Sequence, residues 1–295
     1  MVANLKVPLP VQNGACGLRQ SDAVFSHIRN LPLIMEPLRE AIRGYSIVAV
    51  GCSDRPRDAE GSYMPCFLAG KSAAEAIGAA ADVPVYSFSH QNGHLMAALY
   101  SSGRSETLLQ APFAAFHVSG GTTELLSVRP GEYGFSVCQI GGTDDLNAGQ
   151  AIDRVGVRMG LSFPCGREME RLADLYRGSL PAVRVSVKDC VCHLSGLQNL
   201  AEKLWTETGD SAYVSAYVIA FIGATLQEMT EQLDERMPGL PVLYAGGVMS
   251  NRGLQKLLSV RSDTYFAEPQ YSADNAAGIA LLCRRRAMND RNRTN

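Results

Sequence analysis

The chain is short of several things, and each shortage removes a class of protein. Its 295 residues contain no CxxC pair, no internal repeat and no low-complexity segment. No apolar run reaches membrane-spanning length, and the start lacks the apolar centre of a signal peptide. These two absences lead us to expect a cytoplasmic protein with no membrane partner. Eight cysteines are scattered along the chain, so buried thiols are expected rather than a disulfide framework or a zinc cluster. Cys190-Val191-Cys192 is too tightly spaced for a usual zinc knuckle. Excess charge is also missing. A net charge of -2 carries no global nucleic-acid signature, and the basic tail (Arg284, Arg285, Arg286, Arg291 and Arg293) reads first as a solvated helix end. What remains is an ordinary composition, 46% apolar and 19% charged, with length enough for two lobes.

Taken in order, the chain alternates strands and helices. Residues 1–31 are loop-like, and Ser21-Asp22 opens two helical stretches, interrupted by Pro32 and Pro37 and ended by Gly44. Residues 45–50 read as a buried strand and 53–61 as an exposed loop. Residues 65–81 form an Ala-rich helix, with close packing expected at Gly70 and Gly78. A strand over 83–88 then leads into a helix at His90, which implies parallel pairing. The style changes after residue 113. Strands over 113–118, 124–128 and 135–140 form an antiparallel meander around Ser119-Gly120-Gly121-Thr122-Thr123. Residues 142–177 look helical, as does the segment opened by His193-Leu194-Ser195-Gly196-Leu197. A long amphipathic helix spans 211–237, with Val214, Val218, Phe221, Ile222, Leu226, Met229 and Leu233 at helical spacing. Strands over 240–244 and 264–267 and a final helix complete the pattern.

Two features could carry chemistry. In His90-Gln91-Asn92-Gly93-His94 two imidazoles four residues apart share a helical face, close enough to reach one cation, although either could simply pack or cap. The glycine-rich turn and the strand–glycine–helix passage Ala245-Gly246-Gly247-Val248 to Asn251 let backbone N–H groups approach an anionic ligand. A bare hairpin and a packing role are the plain alternatives. Asp274, in Asp274-Asn275-Ala276-Ala277, is either an N-cap or a ligand.

In sequence these stretches resemble the family that makes threonylcarbamoyladenosine in tRNA, historically labelled glycoprotease or O-sialoglycoprotein endopeptidase. The resemblance is carried by His90-x-x-Gly93-His94, Val118-Ser119-Gly120-Gly121-x-Thr123 and Asp144-Asp145-x-x-Ala148-Gly149-x-Ala151-x-Asp153. Leu194-Ser195-Gly196-Leu197, Ala245-Gly246-Gly247-Val248-x-x-Asn251 and Asp274-Asn275-Ala276-Ala277 extend it to nearly the whole chain. It implies an α/β, actin/hexokinase-like ATPase fold of two lobes with the site in the cleft. The lobes would cover residues 1–110 and 111–295, with a helical insertion at about 144–237 and the last helix packing back on the first lobe.

The resemblance also implies roles. His90, His94 and Asp274 would bind one divalent metal, Fe(II) or Zn. Ser119, Gly120, Gly121, Thr122, Thr123, Asp153, Gly166, Glu170 and Asn251 would contact the substrate. The implied reaction moves a threonylcarbamoyl group from threonylcarbamoyl-adenylate to the exocyclic amine of the tRNA adenosine next to the anticodon. Asp145 and Asp153 are candidates for the proton acceptor. A paralogous subunit and a small ATPase are the implied partners besides tRNA.

The sequence departs from the family pattern in three places. It reads as starting after the family's first strand hairpin, which leaves the first lobe incomplete. Asn92 stands where the family usually has Glu, and Thr122 and Glu124 stand for His and Gln. Residues 53–61 replace a Gly-Pro-Gly type loop. The run from Gly17 to Phe25 resembles a divergent bacterial branch. A non-catalytic nucleotide- or protein-binding paralogue is therefore the alternative function. A metallopeptidase is disfavoured, because Gln91 stands where an HExxH enzyme needs its general base, Glu.

Overall fold

The computed structural model describes residues 1–9, 18–271 and 275–294. In chain order the first elements are α1 (Gln20–Ala41), β1 (Val50–Arg55), α2 (Phe67–Ala81), β2 (Val85–Ser89), α3 (His90–Ser101) and α4 (Ser105–Leu108). The meander follows as β3 (Phe113–Val118), β4 (Thr123–Pro130) and β5 (Phe135–Thr143). Next come α5 (Ala148–Arg158), α6 (Gly166–Ala173), β6 (Val187–Lys188), β7 (Val191–Cys192), α7 (Ser195–Thr208) and α8 (Ser211–Arg236). The chain ends with β8 (Val242–Ala245), α9 (Arg252–Leu258), β9 (Thr264–Phe266) and α10 (Ala276–Thr294).

These elements form two compact units whose segments interleave. The first comprises Met1–Ala97, Gly131–Phe135 and Asp274–Asn295, and the second Ala98–Pro130 and Ser136–Ala273. The first division thus falls inside α3, not at residue 110.

In the first unit β1 and β2 pair in parallel, from Val50 opposite Val85 onward, as the strand–helix–strand order requires. The strand lies later than the apolar run suggests. Residues 45–49 find no ladder partner among the described residues, and Tyr45, Ile47 and Val48 are exposed. Ser53, expected in a loop, is a strand residue. Helix α1 also differs from expectation, since it runs unbroken through Pro32 and Pro37. Each proline removes one intrahelical donor. The carbonyls so released belong to Ile28 and Leu33, which are 54% and 61% exposed, where water can replace the lost bond. In α2 a Cβ at Gly78 would lie 2.2 Å from Val85 Cγ2, whereas nothing lies within 4 Å of one at Gly70, so only Gly78 is a packing glycine.

Part of the basic tail is structural. Arg286 sits over the rings of Tyr86 and Tyr133 at 4.7 and 4.8 Å, and Arg293 pairs with Glu132.

The second unit is built on a seven-stranded sheet in the order β6-β7-β5-β4-β3-β8-β9. Strands β3 and β4 are antiparallel, whereas β8 joins β3 and β9 joins β8 in parallel. The expected helical stretch over 142–177 is shorter. Strand β5 continues to Thr143, and two helices, α5 and α6, follow. Helix α8 is long and apolar enough to cross a membrane, which the sequence reading missed. Over half of its apolar window is buried inside the protein, and it serves as the core helix. Its buried face meets Phe116 and Tyr244, whose rings stack at 4.8 Å, with Phe266 beyond at 5.3 Å. The Tyr244 hydroxyl bonds to Thr230 at 2.6 Å, which satisfies the one polar atom of this buried ring.

Candidate functional site

In the first unit, α3 begins directly at the end of β2, so both histidines fall in its first two turns. Their Nε2 atoms are 3.1 Å apart and the rings are nearly perpendicular. Two lone pairs cannot face each other at that distance, so a proton or a cation must lie between them. Ligands each about 2.0–2.1 Å from one ion, at angles of about 90–110°, sit roughly 2.9–3.4 Å apart, so the pair fits a shared metal. Burial and the neighbouring His94 lower the His90 pKa to about 4, against a weaker opposing effect of Asn275, which keeps the imidazole neutral and able to ligate. Asp274, the expected third ligand, lies outside the described residues, among which no third imidazole, thiolate or carboxylate joins the pair.

Asn92, between the histidines, is buried in a polar network. Its amide nitrogen donates to Asp58 and to Ser89 Oγ, and its oxygen accepts the backbone N–H of Phe135 at 2.7 Å. Asp58 is held in turn by Arg55 and Ser89.

In the second unit one line of hydrogen bonds joins segments far apart in sequence. Ser119 closes the glycine-rich turn by donating its N–H to Thr122 O at 2.7 Å, and its Oγ contacts Thr122 Oγ1 at 2.8 Å. The turn rests on the start of α5. Gly149 N donates to Ser119 O, Ala148 N donates to Thr123 Oγ1, and Asn147 Nδ2 donates to Gly121 O. A Cβ at Gly149 would lie 2.6 Å from backbone atoms of Ser119 and Gly120, so only glycine permits this approach. One helical turn further, Asp153 Oδ1 accepts Cys165 N at 2.8 Å beside Gly166. Glu170, one turn along α6, accepts Arg252 N at 2.7 Å, next to Asn251. Asn251 is buried and caps α9 through Leu254 N. All nine expected substrate contacts therefore lie along this line. Added Cβ atoms at Gly120, Gly121, Gly166 and Gly247 would meet nothing within 4 Å, so the line borders open space.

The two candidate proton acceptors differ. Burial would raise the Asp145 carboxyl, but hydrogen bonds from Ser195 and from the backbone N–H groups of Leu194, Ser195 and Leu146 outweigh it and hold the group far below its usual value. It anchors the start of α7 and is a poor base. Asp153 is shifted upward by burial, with only the Cys165 N–H opposing.

His117 and Asn275 escaped the sequence reading. His117 Nδ1 lies 3.5 Å from Thr122 Oγ1, and its backbone is paired with Glu124. An imidazole thus stands beside the very position where the family's usual histidine is replaced by Thr122. A lone histidine in the apolar strand 113–118 was the available signal.

The model of the TsaD family, tRNA N6-adenosine threonylcarbamoyltransferase, matches residues 27–281. A protein of that name from Streptococcus equi subsp. zooepidemicus is 34% identical over 229 residues, covering 73% of this chain and 64% of its own length. One from Streptococcus uberis is 35% identical, with 73% and 65% covered. The chain thus spans just under two thirds of the length of these relatives. Among solved structures, full-length HypF in its phosphate- and nucleotide-bound form superposes with a TM-score of 0.58 at 13% identity, over 86% of this chain and 40% of HypF. A ROK family protein from Streptococcus pneumoniae, in complex with sucrose, gives 0.51 at 12% identity over 90% and 88%. These likenesses concern the fold, which is α/β and actin/hexokinase-like as expected. With a family match spanning residues 27–281 and relatives of 34% and 35% identity, the chain belongs to the TsaD family of tRNA N6-adenosine threonylcarbamoyltransferases.

Proposed function

We propose that the protein transfers a threonylcarbamoyl group from threonylcarbamoyl-adenylate to the exocyclic amine of the adenosine next to the anticodon of tRNA. The observation that carries this reading is the hydrogen-bonded line from the glycine-rich turn through Asp153 and Glu170 to Asn251. It borders space that no protein atom claims. Gly120 and Gly121 carry no side chain to bar the phosphate of the adenylate from the turn, which Asn147 holds through the Gly121 carbonyl. In the step itself a bond forms between the amine nitrogen and the carbamoyl carbon, and the bond from that carbon to the phosphate oxygen breaks. AMP leaves with the electron pair, and the amine gives up one proton. Of the two carboxylates, Asp153, raised by burial, is the better acceptor for that proton.

His90, His94 and Asp274 would hold one metal, Fe(II) or Zn, which when bound polarises the carbamoyl carbonyl. A paralogous subunit and a small ATPase are the partners that co-purification should seek.

Incubation of the purified protein with tRNA and threonylcarbamoyl-adenylate tests the proposal. Modified adenosine should form, and the Asp274→Ala and Asp153→Asn variants should lose most of it. Binding of metal and adenylate without transfer, even with partners supplied, would establish the non-catalytic alternative instead.

A further inference from the structure

The side chain of Asn275 makes two bonds at once. Its Oδ1 accepts the Ser53 hydroxyl at 2.8 Å, and its Nδ2 donates to the carbonyl of His90 at 2.5 Å. Ser53 belongs to β1, His90 opens α3, and Asn275 immediately precedes α10, where its own carbonyl accepts Ile279 N at 2.9 Å. Three elements of the first unit therefore meet at one amide.

Glycines make the room for it. A Cβ at Gly93 would lie 2.2 Å from Asn275 Nδ2, and one at Gly278 would lie 1.8 Å from the carbonyl oxygen of Gly93. Gly93 sits within the turn that carries both histidines, so α10 and α3 approach each other here without side chains between them. Few side chains satisfy both contacts. Ser53 finds an acceptor in Oδ1, and the His90 carbonyl finds in Nδ2 a second donor besides the backbone N–H that α3 brings to it. A carboxylate would turn a lone pair toward that carbonyl, and alanine supplies neither group. Added to the helical bond, the one from Asn275 restrains the peptide plane after His90 from outside the helix. It thereby sets the direction in which the His90 side chain leaves the first turn of α3.

We propose that Asn275 is a positioning residue for the His90 and His94 pair. Bridging Ser53 and the His90 carbonyl, it orients the first imidazole so that the two Nε2 atoms converge, and the cation affinity of the pair depends on it. This inference rests on the metal-binding reading above and adds to it a residue that does not touch the metal. Ser53 is the outer member of the relay, because its hydroxyl holds the amide in the orientation that points Nδ2 at His90.

The test uses the full chain with Co(II) alone, read by its visible absorption and by competition with a chromophoric chelator. Removing a partner that orients a metal ligand costs about 10–100-fold in affinity. Asn275→Ala and Ser53→Ala should fall in that range with a changed Co(II) spectrum, and Ser53→Thr, which keeps the hydroxyl, should restore both. Ser53→Ala carries the test if Asn275→Ala does not fold. Wild-type Co(II) affinity and spectrum in these variants, with only a lower unfolding midpoint, would reduce Asn275 to a structural link and overturn the proposal. His90→Ala separates the two readings. If it still binds Co(II) like the wild type, the metal site itself fails. If it loses binding while Asn275→Ala keeps it, only the positioning role fails.

Discussion

Two glycine-to-alanine changes a short distance apart should have opposite consequences. At Gly149 the new methyl would lie 2.6 Å from Gly120 Cα, Gly120 N and Ser119 O, whereas ordinary carbon contacts begin at about 3.5 Å. The turn or the first turn of α5 must therefore move by about 1 Å, and backbone cannot swing aside as a flexible side chain can. Overpacking of this kind costs about 1–3 kcal/mol. The bond from Gly149 N to Ser119 O, 3.1 Å long, is strained as well, for about a further 1 kcal/mol. Against this, alanine gains at most about 1 kcal/mol in helix propensity. The net expectation for Gly149→Ala is a loss of about 1–3 kcal/mol, with weakened adenylate binding because the turn is displaced. At Gly121 the added methyl meets no protein atom within 4 Å. Gly121→Ala should therefore leave stability within about 0.5 kcal/mol of wild type. On the proposed function it should still reduce AMP affinity tenfold or more, because the methyl enters the open space assigned there to the adenylate. Urea unfolding and AMP calorimetry on the two variants measure both effects. A Gly149→Ala protein as stable as wild type with unchanged AMP affinity would refute the reasoning, as would a strongly destabilised Gly121→Ala.

Other outcomes follow from contacts already described. Asn92→Ala removes three bonds from a buried network and should cost about 2–3 kcal/mol in denaturant unfolding, and Asn92→Glu should be no better, because it sets a second carboxylate against Asp58. Asp145→Ala should lose about 1–2 kcal/mol, as a cap does. The Asp145 carboxyl is held below its ordinary 3.8, so its contribution is present above that pH and disappears on acidification. Unfolding curves of wild type and Asp145→Asn should therefore converge as the pH falls below about 4. Tyr244→Phe deletes a 2.6 Å bond to Thr230, which still donates to Leu226 O, and thermal unfolding should report a loss of about 1 kcal/mol.

Patterns with strong local periodicity were legible in the sequence. Strand β3 and helix α8 lie where alternation and helical spacing put them, because their apolar faces form the core. The glycine-rich turn was legible too, since adjacent glycines between two apolar runs mark a hairpin. The run over residues 45–50 misled for a physical reason. Apolar character says that a segment suits a sheet, not that a partner strand lies beside it. The prolines of α1 misled because exposed carbonyls tolerate a missing donor. Asp145 looked chemical by composition, yet its surroundings are backbone N–H groups brought from α7, and no local pattern reports that. Asn275 escaped notice because its partners, Ser53 and His90, are far away along the chain.

The interleaving of the two units bears on how the protein is made. Strand β1 packs against α10 as well as α2, and a Cβ at Gly51 would lie 2.7 Å from that of Cys283, so the small β1–β2 sheet gains its second cover only once the final helix exists. On the ribosome, where amino-terminal parts generally fold first, this one must wait. The side of its small sheet that α10 covers stays open while the seven-stranded sheet, complete at Phe266, is able to assemble. A nascent chain stalled before residue 276 would resist protease across the later half and be cut readily in the earlier one.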